Sequence, residues 1–86
     1  MDKAEYGDFQ TPLDLARRVC RWLKAKGLCP EVLVEPTFGQ GHFLLAALET
    51  FPSIKSVYGV EIHKPHFDEA QQKISEFSCD IRLHCG

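Results

Sequence analysis

The chain has 86 residues, 44% of them hydrophobic and 26% charged, enough for one small domain that buries about 60 to 65% of its unfolded surface. A formal net charge of −2 argues against a dedicated nucleic-acid-binding module, which is usually basic. No apolar run reaches the roughly 18 to 20 residues that span a bilayer, and Met1-Asp2-Lys3-Ala4-Glu5 has no apolar signal core, so a cytoplasmic setting is expected.

Residues 1–10 are polar and irregular. Thr11-Pro12-Leu13-Asp14 then reads as a helix start, with Thr11 as N-cap, Pro12 at the first helical position and an acid three residues after the cap. Leu13, Ala16, Val19, Cys20, Leu23 and Gly27 follow the spacing of a buried stripe, and Gly27 is placed to end the helix. Arg17, Arg18, Arg21, Lys24 and Lys26 occupy the other faces, as expected of a solvated helix with cations near its C-terminus, or of a face that meets phosphate.

The segment Glu31 to Glu35 predicts a first strand. Its core Val32-Leu33-Val34 is continuously apolar, as in a central parallel strand covered on both faces. Residues 41–50 predict a helix that is apolar nearly all round and therefore heavily buried; Phe51-Pro52-Ser53 breaks it. Val57 to Ile62 predicts the second strand. Pro65 opens a third helix with Phe67, Ala70, Ile74 and Phe77 on one face, and Asp80 to Cys85 alternates as a short third strand. The order α, β, α, β, α, β is that of a parallel α/β half-sheet with strand order 3-2-1, a single partial domain with no internal repeat.

The four cysteines, Cys20, Cys29, Cys79 and Cys85, form no C-x-x-C pair and read as reduced structural thiols. His63 and His66 flank Pro65. With Cys79 and Cys85 they lack the ligand spacing of a zinc site, so no metal is expected.

The chemistry concentrates in Glu35-Pro36-Thr37-Phe38-Gly39-Gln40-Gly41, an acid at a strand tip followed by a Gly-x-Gly turn into a helix. Such a loop lets a ligand approach backbone. Twenty residues past Gly41, the second strand delivers Glu61, whose carboxylate suits the two hydroxyls of a ribose. A nicotinamide dinucleotide fits poorly. The third small residue of G-x-G-x-x-G is Leu44 here, and Glu35 would face a pyrophosphate dianion. A cofactor with a cationic end, such as S-adenosylmethionine with its ammonium and sulfonium, turns that acid into an attraction.

Val34-Glu35-Pro36-Thr37-Phe38-Gly39-Gln40-Gly41-His42-Phe43-Leu44 closely resembles motif I of DNA N6-adenine methyltransferases of restriction-modification systems. Gly59-Val60-Glu61-Ile62 resembles their motif II, and Gly7-Asp8-Phe9-Gln10-Thr11-Pro12 their F-x-T-P element, motif X. The resemblance implies a partial Rossmann-like methyltransferase fold, with a motif X segment and helix over residues 1–30 and a βαβαβ unit over residues 31–86. It also implies that Glu35 orients the methionine ammonium, while Pro36, Thr37, Gly39 and Gly41 line the turn around it. Phe9, Gln10 and Thr11 close over the methionine tail, Glu61 holds the ribose hydroxyls and Ile62 packs on the adenine.

The family's catalytic N/D-P-P-Y/F tetrapeptide is absent from the 86 residues, and no catalytic residue is assigned. The expectation is an S-adenosylmethionine-binding fragment, inactive alone, reaching DNA through a missing C-terminal part. An exposed first strand would then invite self-association or a complementary subunit. Two alternatives remain: a fragment of an RNA, protein or small-molecule methyltransferase, and a non-catalytic assembly module that keeps the fold.

Overall fold

The computed structural model describes residues 11–86. Six elements follow in strict alternation: α1 (Leu13–Ala25), β1 (Val32–Glu35), α2 (His42–Thr50), β2 (Ser56–Glu61), α3 (Lys64–Ile74) and β3 (Asp80–Cys85). The strands are parallel, with β2 in the middle. Leu33 pairs with Val57 and Val57 with Ile81, so their side chains share one face. The expected strand order is the observed one.

Helix α1 starts one residue later than its sequence suggests. Pro12, with φ −57° and ψ 142°, is itself the cap residue, and no side chain caps the helix. Thr11 is therefore not the N-cap, because the extended Pro12 takes that position. The other end follows the glycine. Gly27, at φ 95°, lets Leu28 N–H reach the Leu23 carbonyl (3.1 Å) and Gly27 N–H the Lys24 carbonyl (3.0 Å), the paired bonds of a Schellman turn.

The α1 cations have more specific work than solvation. Arg17 makes a two-pronged bond to Glu49 (3.0 and 3.1 Å), and Lys24 donates to the Thr50 carbonyl at the end of α2 (3.1 Å). These contacts clamp α1 along α2.

Helix α2 is as buried as its composition demands. Leu44, Ala46, Ala47 and Leu48 join Ala16 and Cys20 of α1, Ala70 and Ile74 of α3, and Val57 of β2 in one core. Burying a leucine such as Leu44 contributes about 1.5 to 3 kcal/mol.

Among the described residues the sheet is covered on one face only. Along β2, Val57, Gly59 and Glu61 are buried while Tyr58 and Val60 are exposed. In β1, Leu33 packs against the core, but Val32 is 54% and Val34 63% exposed. Among the described residues all three helices serve one side, so the expected cover on both faces of β1 is corrected, while its place at the edge is the one the order 3-2-1 expects. Among the described residues no helix is long and apolar enough to cross a membrane.

Candidate functional site

The site gathers at the carboxyl ends of the strands, where ligands bind in open parallel sheets. It is built on Phe38. This ring is 5% exposed, packs against Phe67 at 6.1 Å between centroids, and fills the space a side chain on Gly59 would take: a Cβ there would lie 2.8 Å from the ring. Phe38 N–H donates to the Val60 carbonyl (3.3 Å) and its carbonyl accepts from Gly41 N–H (2.9 Å). An apolar anchor thus pins the centre of a polar loop. Sequence reading assigned Phe38 no role. The signal was a lone aromatic inside a glycine turn.

Gly39 and Gly41 both take positive φ, 56° and 85°. Gly41 has a further reason to be glycine. A Cβ at this position would stand 2.6 Å from Cβ and 2.9 Å from Cα of Ala70, so α2 and α3 meet across it. The close approach it permits includes that of α2 to α3, while Gly39 lies on the cavity wall at the end of β1. Lys73 of α3 also donates to the Gln40 carbonyl at 3.0 Å.

Glu61 is buried, 3% exposed. Its Oε1 accepts from Gly39 N–H and its Oε2 from His63 N–H, both at 2.8 Å. The acid at the end of β2 thereby ties the glycine loop to the start of α3. A carboxylate offers about four lone-pair sites, so two remain for further donors.

Glu35 lies half-buried at the end of β1. Burial pushes its carboxyl above the ordinary value of 4.5, and among the described residues no cation or hydrogen-bond donor offsets the shift. Together with Thr11, Thr37, Phe38, Gly39, His42 and Phe43 it lines a cavity of about 40 Å³. That is enough for a small polar group, since a water needs at least roughly 10 to 15 Å³ on this measure.

Of the other expected residues, Pro36 and Thr37 are exposed in the turn after β1. Ile62 is 66% exposed just past β2, which ends one residue earlier than expected. Phe9 and Gln10 lie outside the described residues. The structure thus brings Thr11, Glu35, Thr37 and Gly39 around one cavity, with Glu61 behind the loop, and leaves Ile62 open to solvent. His42, unmarked by sequence reading, belongs to the same wall.

His63 and His66 stack edge-on, 4.2 Å between centroids. Among the described residues no three His, Cys, Asp or Glu side chains gather as metal ligands.

A half-sheet of this topology, with a glycine loop after β1 and an acid closing β2, defines a Rossmann-like fold of the methyltransferase class. Solved methyltransferases share it. A candidate RNA methyltransferase from Pyrococcus horikoshii superposes at TM-score 0.76 and 23% identity over 100% of this chain and 43% of its own. A methyltransferase from Geobacter sulfurreducens gives 0.69 and 15% over 98% and 42%. The S-adenosylmethionine-bound amino pentose methyltransferase CalS10 of Micromonospora echinaspora gives 0.60 and 24% over 96% and 32%.

Within that class the sequence is related to the type II methyltransferases of restriction-modification systems. It is 44% identical over 87 residues to M.NspV of Nostoc sp., covering 98% of this chain, and 41% identical over 51 residues to M.XamI of Xanthomonas campestris pv. amaranthicola, covering 59%. The chain spans 18% and 10% of the lengths of these relatives. No family model matches it.

Proposed function

We propose that this chain is the S-adenosylmethionine-binding part of a DNA adenine-N6 methyltransferase. The observation that carries the reading is Glu35: a half-buried acid with no compensating cation among the described residues, on the wall of a small polar cavity. An anionic pyrophosphate would be repelled there, whereas an ammonium supplies the missing positive charge. The methionine end would enter between Thr11, Glu35, Thr37 and Gly39, and the rest of the cofactor would run over the open strand ends. Glu61 keeps two lone-pair sites for ribose hydroxyls, and exposed Ile62 offers an apolar surface to the adenine.

The bound cofactor supplies an electrophilic methyl group on its sulfonium. Pro36, Thr37 and the loop backbone shape the surface on which its methionine moiety rests. The acceptor amine needs a base pocket of the N/D-P-P-Y/F kind, which these 86 residues do not carry. The assignment of DNA as substrate is supported by the 44% identity to M.NspV.

Isothermal titration calorimetry tests the reading through its pH dependence. A cation beside Glu35 favours the ionised carboxylate, so binding releases a proton. Affinity for S-adenosylmethionine then rises with pH through a midpoint above 4.5 and levels off beyond it. The stability of the ligand-free chain carries the opposite sign. A raised carboxyl contributes stability that is present below the unfolded value and lost as pH rises through the folded one. Glu35→Gln should abolish the proton release and weaken S-adenosylmethionine while sparing adenosine, which has no ammonium. Equal losses for both ligands would show that Glu35 does not face the methionine end.

The same reading includes a partner at the open side of β1. Among the described residues this strand pairs only with β2, and exposed Val32 and Val34 continue into exposed Tyr58 and Val60. Such an edge is a template for a second copy or a complementary chain, with DNA engaged beyond it. Light scattering should report association that Val34→Lys suppresses, because a lysine there charges an edge whose other face is already packed. A monomer at millimolar concentration would refute it.

A further inference from the structure

Thr11 stands just before the capping Pro12, and its carbonyl takes no part in α1, whose first bond runs from Ala16 N–H to the Pro12 carbonyl at 3.0 Å. The His42 ring meets this carbonyl instead, with Nδ1 2.9 Å from the oxygen. A carbonyl only accepts, so Nδ1 carries the proton, and in the neutral ring Nε2 is left as the acceptor. His42 is also the first residue of α2, directly after Gly41, and shares that rigid turn with the glycine loop. Thr11 and His42 line the same small cavity as Glu35, Thr37 and Gly39. One hydrogen bond therefore spans 31 residues of sequence and joins the segment ahead of α1 to the loop after β1.

We propose that His42 is a positioning residue for the cofactor: by clasping the Thr11 carbonyl it sets the Thr11 side of the cavity at a fixed distance from the Gly39 side. The inference rests on the cofactor reading above and adds to it a residue outside the acid and glycine positions. Its physical basis is preorganisation. With the clasp in place the two walls are joined before a ligand arrives; without it, the Thr11 segment must be ordered at the moment of binding, and affinity falls by that cost. Coupling is reciprocal, so a ligand held between the walls also tightens the clasp.

Two measurements on the 86-residue chain test this. Nitrogen-edited NMR of the ligand-free protein, above the range where the imidazole is protonated, should show His42 as the Nδ1–H tautomer. A neutral Nε2–H tautomer overturns the proposal, because Nδ1 would then be an acceptor facing an acceptor. Calorimetry with S-adenosylhomocysteine should find His42→Ala weaker by about fivefold to tenfold, the loss of one hydrogen bond. His42→Asn, whose amide N–H can take the place of Nδ1–H, should recover most of that loss.

Unchanged affinity in His42→Ala, or an Asn variant as weak as the Ala variant, overturns the clasp while leaving the cofactor reading standing. No S-adenosylhomocysteine binding by the unsubstituted chain overturns the cofactor reading, and the positioning role with it.

Discussion

Replacing Glu61 with alanine is expected to destabilise the chain by roughly 2 to 5 kcal/mol, as measured by urea unfolding. The carboxylate is 3% exposed and holds two backbone N–H groups at 2.8 Å, one on each side of the site. A hydrogen bond to a charged group contributes about 1.5 to 3 kcal/mol, and a buried donor left without an acceptor costs a similar amount. A domain of this length has a total stability of roughly 4 to 13 kcal/mol, so the loss is a large share of the whole.

Glu61→Gln separates the two bonds. Its remaining oxygen can serve one N–H, but its amide nitrogen then meets the other donor, and one of the two amides should lose its protection from hydrogen exchange. A change below about 0.5 kcal/mol in the alanine variant would mean that the loop is held from elsewhere. The same carboxylate is proposed to meet the ribose, so its loss should weaken cofactor binding by two routes at once.

Gly41→Ala is the second large effect, with an expected loss of about 2 to 5 kcal/mol. Two terms add. At φ 85° any Cβ-bearing residue is strained, by about 1 to 2 kcal/mol. The new methyl also enters space that Ala70 occupies, 2.6 Å from its Cβ, and overpacking of this kind costs about 1 to 3 kcal/mol. Gly27→Ala isolates the first term. It has a similar φ, 95°, and nothing within 4 Å of the new atom, so it should lose only about 1 to 2 kcal/mol.

A double-mutant cycle with Ala70→Gly probes the second term. The overlap with Ala70 Cβ disappears while the backbone strain and the 2.9 Å approach to Ala70 Cα stay, so the two substitutions together should cost less than their sum. Strict additivity would show that α2 and α3 do not meet at Gly41.

Much of the architecture was legible because it is written in local patterns. Gly27 stops α1 through its left-handed conformation. The apolar run 43–48 requires burial on all sides, and Pro65 sits at the start of α3 where its missing N–H costs nothing. Alternating elements leave a parallel sheet with helical crossovers as the economical solution, and the order 3-2-1 follows. The glycine turn after Glu35 and the acid ending β2 mark the ligand end of the sheet by the same local logic.

Tertiary structure decided what each of those residues touches. Sequence spacing cannot tell that the cap of α1 is Pro12 rather than Thr11, because that turns on one backbone angle. Nor can it tell that Arg17 and Lys24 are spent on α2, since a basic helix face looks the same whether it meets solvent, phosphate or a neighbouring helix. Glu61 reads as an acid at a strand tip, yet its first partners are Gly39, 22 residues earlier, and His63. The clasp between His42 and Thr11 spans 31 residues and involves a carbonyl, which has no sequence signature at all.

Amino-acid order by itself determined the elements, their succession and the end of the sheet where chemistry belongs, because periodicity, glycine and proline act over a few residues. Only the three-dimensional packing determined that Gly41 makes room for Ala70, that Phe38 anchors the loop in the core and that the helices α1 to α3 all cover the same face of the sheet. Those outcomes depend on which distant atoms compete for the same space, and local sequence carries no record of that.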